Sequence, residues 1–226
     1  MRYFIELSYN GKAYHGWQNQ PNAISVQEIL EDALSKLLKN KIEIVGAGRT
    51  DAGVHDEQMF AHFDFQDKFD VEKMIFKLNS FLPKDISIHN ILEVKGDAHS
   101  RFDALSRTYN YKITLQKDVF NYEGCYYLKH DLNVTKMNEA ASILFDYNNF
   151  KCFSRSNTDV KTYHCDIMFA KWKKTNNQLI FTISANRFLR NMVRAIVGTM
   201  LDIGHGKTTI GQFHEIIKSE NRTKAG

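Results

Sequence analysis

Polar and apolar residues alternate along residues 2–9, a period of two that predicts a strand with one buried face. The period then lengthens. Val26, Ile29, Leu30, Ala33, Leu34, Leu37 and Leu38 recur three and four apart, which predicts a helix over 26–38. Ser25 is its expected N-cap, with Glu28 three residues on completing the sequence signature of a capping box. Strands are predicted at 42–45 and 59–65, a second helix from 71 to about 80 behind Asp70, and a strand at 86–94. The order β-α-β-β-α-β is the split βαβ arrangement of ferredoxin-like folds.

The same order then starts again. A strand at 106–114 precedes a helix through 145 capped by Thr135, and strands at 166–173 and 178–185 form a hairpin around Asn176-Asn177. A helix from 189 to about 202 follows, with Leu189, Met192, Val193, Ile196, Val197, Met200 and Leu201 on its apolar face, and then a short helix at 210–217. The second round stops before its last strand, which predicts an absent C-terminal strand or a half-sheet closed in another way. The expected class is α+β: two ferredoxin-like halves, 1–97 and 98–226, with mixed, mainly antiparallel strands, helices on one face and a cleft between the halves. Two prolines and no low-complexity run argue against a flexible linker where the halves meet, around 97–103.

Composition narrows the setting. With 226 residues, 43% hydrophobic and 25% charged, the chain is long enough for a sizeable core and ordinary for a globular protein. No apolar run approaches a membrane span, and an acid interrupts the N-terminal apolar residues at once, so the expected compartment is the cytoplasm. Cys125, Cys152 and Cys165 form no C-x-x-C pair, which favours buried thiols over a zinc site or disulfide framework. His164 and Cys165, adjacent on a strand, point to opposite faces. No metal site is expected. Charge is uneven: residues 151–226 hold 13 Lys+Arg against 5 Asp+Glu, whereas the first 150 hold 17 against 21. That asymmetry predicts a basic surface for a polyanion.

Three stretches carry candidate chemistry. Gly48-Arg49-Thr50-Asp51-Ala52-Gly53-Val54-His55 sets one carboxylate between glycines in the loop joining two strands. Turn formation alone accounts for glycine and Asp there. Arg187, Arg190 and Arg194 fall three and four apart without a neighbouring acid, and like charges on one helix face call for an external anion. Arg101 in Ala98-His99-Ser100-Arg101-Phe102-Asp103-Ala104 leads to Arg107, Tyr109 and Tyr111, which alternate onto one strand face. Guanidinium groups and rings stack on unpaired bases, although Tyr111 reads better as core.

Together these segments resemble the tRNA pseudouridine synthase A family over nearly the whole chain. The resemblance rests on Tyr14-His15-Gly16-Trp17-Gln18, Ser25-Val26-Gln27, residues 47–55 and 99–104, Arg107-Thr108-Tyr109-Asn110-Tyr111, and Met192-Val193-Arg194 with Ile196-Val197-Gly198. It implies an isomerase that converts uridine to pseudouridine in the anticodon stem-loop of tRNA, at positions 38 to 40 in tRNA numbering. It implies a homodimer, tRNA as partner, and no metal or organic cofactor. Asp51 matches the catalytic aspartate, and Arg49 is placed to fill the vacated stack or hold the flipped nucleotide. Arg194 matches the arginine that pairs with the carboxylate, and Tyr109 the tyrosine that stacks on uracil. Arg101, Arg187 and Arg190 are candidate phosphate contacts. Asp56 stands where members usually have a small residue, and Asn149 where Asp is common. Members continue past the region matching Asn221-Arg222-Thr223 into a final strand, so the chain ending at Gly226 is expected to be shortened. A non-catalytic RNA-binding protein of the same fold is the alternative. A hydrolase of the glycosidic bond would want two carboxylates flanking it. One carboxylate near a ribose leaves open attack at C1′, attack at C6 or proton removal from C2′.

Overall fold

Strand β1 (Arg2–Tyr9) turns the opening alternation into structure: Tyr3, Ile5, Leu7 and Tyr9 are buried and the residues between them are half-buried. The computed structural model describes residues 1–120, 122–156, 160–175 and 177–226, and these divide into two units, Met1–Ala104 and Leu105–Gly226. In the first, β1 lies between β3 (Asp56–Asp64) and β4 (Ile86–Val94), both antiparallel to it, and β2 (Ile44–Gly46) adds to the far edge of β3. The order β2-β3-β1-β4 is that of a ferredoxin-like sheet.

Helices α1 (Val26–Leu38) and α2 (Val71–Phe81) cover one face of this sheet. The predicted stripe of α1 supplies Val26, Leu30, Ala33 and Leu34, all buried against Ile5, Leu7, Ala61 and Phe63. Each of the Val and Leu side chains contributes about 1.5–3 kcal/mol on burial. The helix begins where expected because the Ser25 hydroxyl accepts the Glu28 N–H at 3.1 Å. Asp70 does the same for the Lys73 N–H, at 3.0 Å.

The second unit repeats the order. Strand β5 (Arg107–Thr114) pairs with β8 (Gln178–Ala185), and β8 pairs with β7 (Ile167–Lys174), all antiparallel. Helices α3 (Val134–Ile143) and α4 (Met192–Gly204) bury their apolar faces on this sheet, with α5 (Ile210–Lys218) beside them. One strand was not foreseen. Tyr126–Tyr127 (β6) runs parallel to β5 at Ile113 and Thr114, so the sheet order is β6-β5-β8-β7. The place that β4 takes beside β1 is here filled, over two residues, by a strand that precedes α3 in the chain. At the end of the chain the Gly226 N–H donates to Thr199 Oγ1 at 2.9 Å, against α4.

Several boundaries move. The N-cap of α3 is Asn133, whose side chain accepts the Lys136 N–H, rather than Thr135. Helix α4 starts at Met192, not Leu189, because Asn191 adopts a left-handed conformation (φ 64°) that interrupts the helical run. Leu189 is nevertheless buried, which is why the apolar period extended to it. Of the expected hairpin turn Asn176-Asn177, Asn176 lies outside the described residues.

Candidate active site

In the first unit the loop between β2 and β3 is pinned to the segment that follows β1. The Tyr9 hydroxyl and Thr50 Oγ1 are 2.9 Å apart, the Trp17 N–H donates to the Thr50 carbonyl at 3.2 Å, and the Gly11 N–H donates to His55 Nδ1 at 3.1 Å. Inside the loop the Val54 N–H donates to the Asp51 carbonyl at 3.2 Å. These bonds hold the residues on both sides of Asp51, so its half-buried side chain projects from a fixed backbone. Such closeness depends on glycine. Any Cβ at Gly16 (φ 92°) would collide with the Thr50 carbonyl oxygen, and one at Gly11 with the Val54 carbonyl. The co-occurrence of the 14–18 and 47–55 motifs therefore has a physical reason: they are two sides of one packed contact.

The glycines flanking the carboxylate differ. Gly53 has φ 76° and serves the turn, whereas Gly48 has ordinary backbone and open space where a side chain would be. Only Gly53 answers to the expected backbone demand. Arg49 is exposed on the same loop.

Strand β3 leaves the loop through a register shift. Leu7 faces Met59 and Tyr9 faces Asp56, so one extra residue of β3 is accommodated between them. Asp56 is thereby placed opposite Tyr9, half-buried, with its carboxylate accepting the Gln58 N–H at 3.0 Å. Burial pushes its pKa up to about 6, the Gln58 bond opposing and the Glu57 charge adding to the rise. Sequence reasoning treated this residue as a minor departure.

Arg101 lies in the first unit on a turn over residues 99–103. That turn is hooked onto the sheet by Ser100, whose hydroxyl lies 2.9 Å from His62 Nδ1 and donates to the Val45 carbonyl at 2.8 Å. His62 is 5% exposed, and burial followed by the nearby Arg2 charge lowers its pKa, so the ring stays neutral.

The second unit holds the remaining predicted residues. Arg107, Tyr109 and Tyr111 share one half-buried face of β5, as the alternation implied. The Arg107 guanidinium donates to the Asn186 carbonyl at 2.8 Å, and the Tyr109 ring meets Phe188 edge-on, with centroids 5.1 Å apart. Tyr111 packs against the core, and burial, then the neighbouring Tyr126, raises its hydroxyl pKa. The Arg194 charge opposes that rise.

The helical arginine cluster requires correction. Only Arg194 is on α4; Arg187 follows β8 and Arg190 sits in the turn before the helix. Like-charge repulsion along one helix face therefore does not apply. A different cost replaces it. Arg194 is exposed in the first turn of α4, where the helix macrodipole disfavours a cation, and that turn contains no acid. Arg190 lines a concavity with Arg155, Ser156, Asn191 and Arg222, residues of which the sequence reading had singled out only Arg190. Cys152 and Cys165 are fully buried, and burial pushes their thiols up to about 12 and about 11, so neither is a ready nucleophile or metal ligand.

Comparison with known proteins supplies the rest. A family model described as tRNA pseudouridine synthase matches residues 7–103 and 140–226; residues 104–139, which include Tyr109, lie outside that match. A tRNA pseudouridine synthase A of Bacteroides fragilis is 53% identical over 227 aligned residues, covering 100% of this chain and 90% of that protein. One from Parabacteroides distasonis is 52% identical with the same coverage. One from Thermoanaerobacter pseudethanolicus is 37% identical over 98% of this chain and 92% of its own.

Proposed function

The chain belongs to the tRNA pseudouridine synthase family, and from that premise we propose that it isomerises uridine to pseudouridine in the anticodon stem-loop of tRNA. The observation that carries the reading is Asp51, a single carboxylate on a loop whose backbone is bonded to an adjacent segment on either side of it. A target in a stem must leave the stack, at a cost of a few kcal/mol, before any side chain reaches its ribose. Arg49, exposed beside Asp51, takes up the vacated space or holds the flipped nucleotide.

The reaction breaks the N1–C1′ bond, turns the uracil and forms C5–C1′. The C5 proton leaves and N1 gains one, so the change is redox-neutral. Asp51 must be ionised to attack C1′ or C6 or to take a proton from C2′. Arg194, exposed in the first turn of α4, is the proposed cationic partner of that carboxylate. Tyr109 stacks on the uracil, its ring braced edge-on by Phe188. Arg101, Arg187 and Arg190 are the proposed phosphate contacts, and the basic balance of residues 151–226 supports them. The enzyme is proposed to act as a cytoplasmic homodimer.

Tritium release from tRNA labelled at uracil C5 tests the proposal. The parent chain is expected to release tritium in step with pseudouridine formation. Asp51→Asn is expected to release none above background while binding tRNA as tightly. Equal release by both would sink the catalytic role of Asp51, and no release from a parent that binds tRNA would favour an RNA-binding protein of the same fold.

A further inference from the structure

Within 99–103 Arg101 was the one candidate RNA contact, yet the geometry gives its neighbour the more unusual position. The turn is closed by four bonds. The His99 carbonyl accepts the N–H of Phe102 at 3.1 Å and of Asp103 at 2.9 Å; the Asp103 carboxylate accepts the His99 N–H at 2.7 Å; and the Arg101 N–H donates to His99 Nδ1 at 3.2 Å. Ser100, 3% exposed, points inward onto His62 and the Val45 carbonyl. Phe102, two residues on, points outward and is 75% exposed.

An isolated exposed apolar side chain is common and needs no function. Phe102 is different in being held. Its ring lies 4.2 Å from the His99 ring, which in turn meets the buried His62 ring edge-on at 4.6 Å. The Arg101 guanidinium sits 5.8 Å from the Phe102 centroid. A fixed aromatic surface with a cation beside it is the combination that engages a single-stranded nucleotide, the ring taking the base and the cation the phosphate. Because the turn is already ordered, binding forfeits little conformational entropy.

We propose that Phe102, backed by His99 and flanked by Arg101, is a stacking platform for an unpaired nucleotide of the RNA substrate. The proposal rests on the tRNA reading above, and its test separates the two. The affinity of an unmodified anticodon stem-loop RNA is measured with Phe102→Ala, Phe102→Leu and Phe102→Trp, each in an Asp51→Asn background to prevent turnover. Phe102→Ala and Phe102→Leu are expected to weaken binding by about 5- to 100-fold. Phe102→Trp is expected to restore it, with tryptophan fluorescence quenched on binding. A blunt RNA duplex, lacking unpaired nucleotides, is expected to bind all variants alike.

Unchanged stem-loop affinity in Phe102→Ala overturns the platform. So does equal weakening for the duplex, and so does a loss of self-association with RNA affinity intact, which would make the ring a contact between copies of the chain. If Phe102→Ala is neutral while the parent still forms pseudouridine, the platform alone falls. If the parent binds no stem-loop, both readings fall.

Discussion

Asp56 is five residues from Asp51, and the two carboxylates are placed in opposite ways. The reaction proposed for Asp51 needs it charged, whereas Asp56 lies opposite Tyr9, where burial favours its neutral form. A folded-state pKa of about 6, above the usual 3.8, means that stability contributed by the protonated group is full below about pH 4 and lost as pH rises through 6. Asp56→Asn keeps an acceptor for the Gln58 N–H and removes the charge. It should raise urea-denaturation stability by about 1–2 kcal/mol at pH 7.5, less than the full shift implies because the side chain is only half-buried. The gain should vanish near pH 4, and a gain that persists there would show that charge is not its source. Turn chemistry alone accounts for Asp51 and its glycines, so the roles proposed for Asp51 and Arg49 came from the family resemblance of the whole 47–55 stretch. The placing of Asp56 was not legible, since its burial follows from a one-residue register shift that leaves no mark in the hydrophobic pattern.

Elements were read well where a side chain both marked and made the boundary. Ser25 shows this for α1: the residue that suggested the start is the one that bonds the Glu28 N–H. Ser25→Ala should cost about 1 kcal/mol in thermal or urea unfolding, and Ser25→Thr, which keeps the hydroxyl, should recover part of it. A cost near zero would mean that packing of Leu30 and Leu34 alone sets the helix start. Boundaries failed where backbone conformation overruled composition. Asn133 and Thr135 are both competent caps, and only the chain path selects Asn133. Before α4 the apolar period runs on through buried Leu189, but Asn191 in a left-handed conformation moves the first helical residue to Met192. That offset took Arg187 and Arg190 off the helix and removed the original argument for their anion. Strand β6 escaped notice because two residues are too few to show any period.

Across the whole molecule the repeat is one of strand order, β2-β3-β1-β4 and β6-β5-β8-β7, carried by unrelated side chains. Pattern could reveal it because each round buries one face of a sheet under helices. The basic excess of residues 151–226 was also legible, and it leads to a salt-dependence prediction. The logarithm of tRNA affinity should fall linearly with the logarithm of salt concentration, and Arg190→Ala should reduce that slope by about 1. An unchanged slope would remove Arg190 from the phosphate contacts. What could not be read was how distant stretches of the first unit come together. Gly11 and Gly16 carry no functional group, yet each leaves room for a loop carbonyl that any side chain would displace. Their tolerance of substitution is therefore inherited from the loop they touch. A side chain at either position would push away the backbone beside Asp51, so two residues with no chemistry of their own set where a neighbour's carboxylate stands.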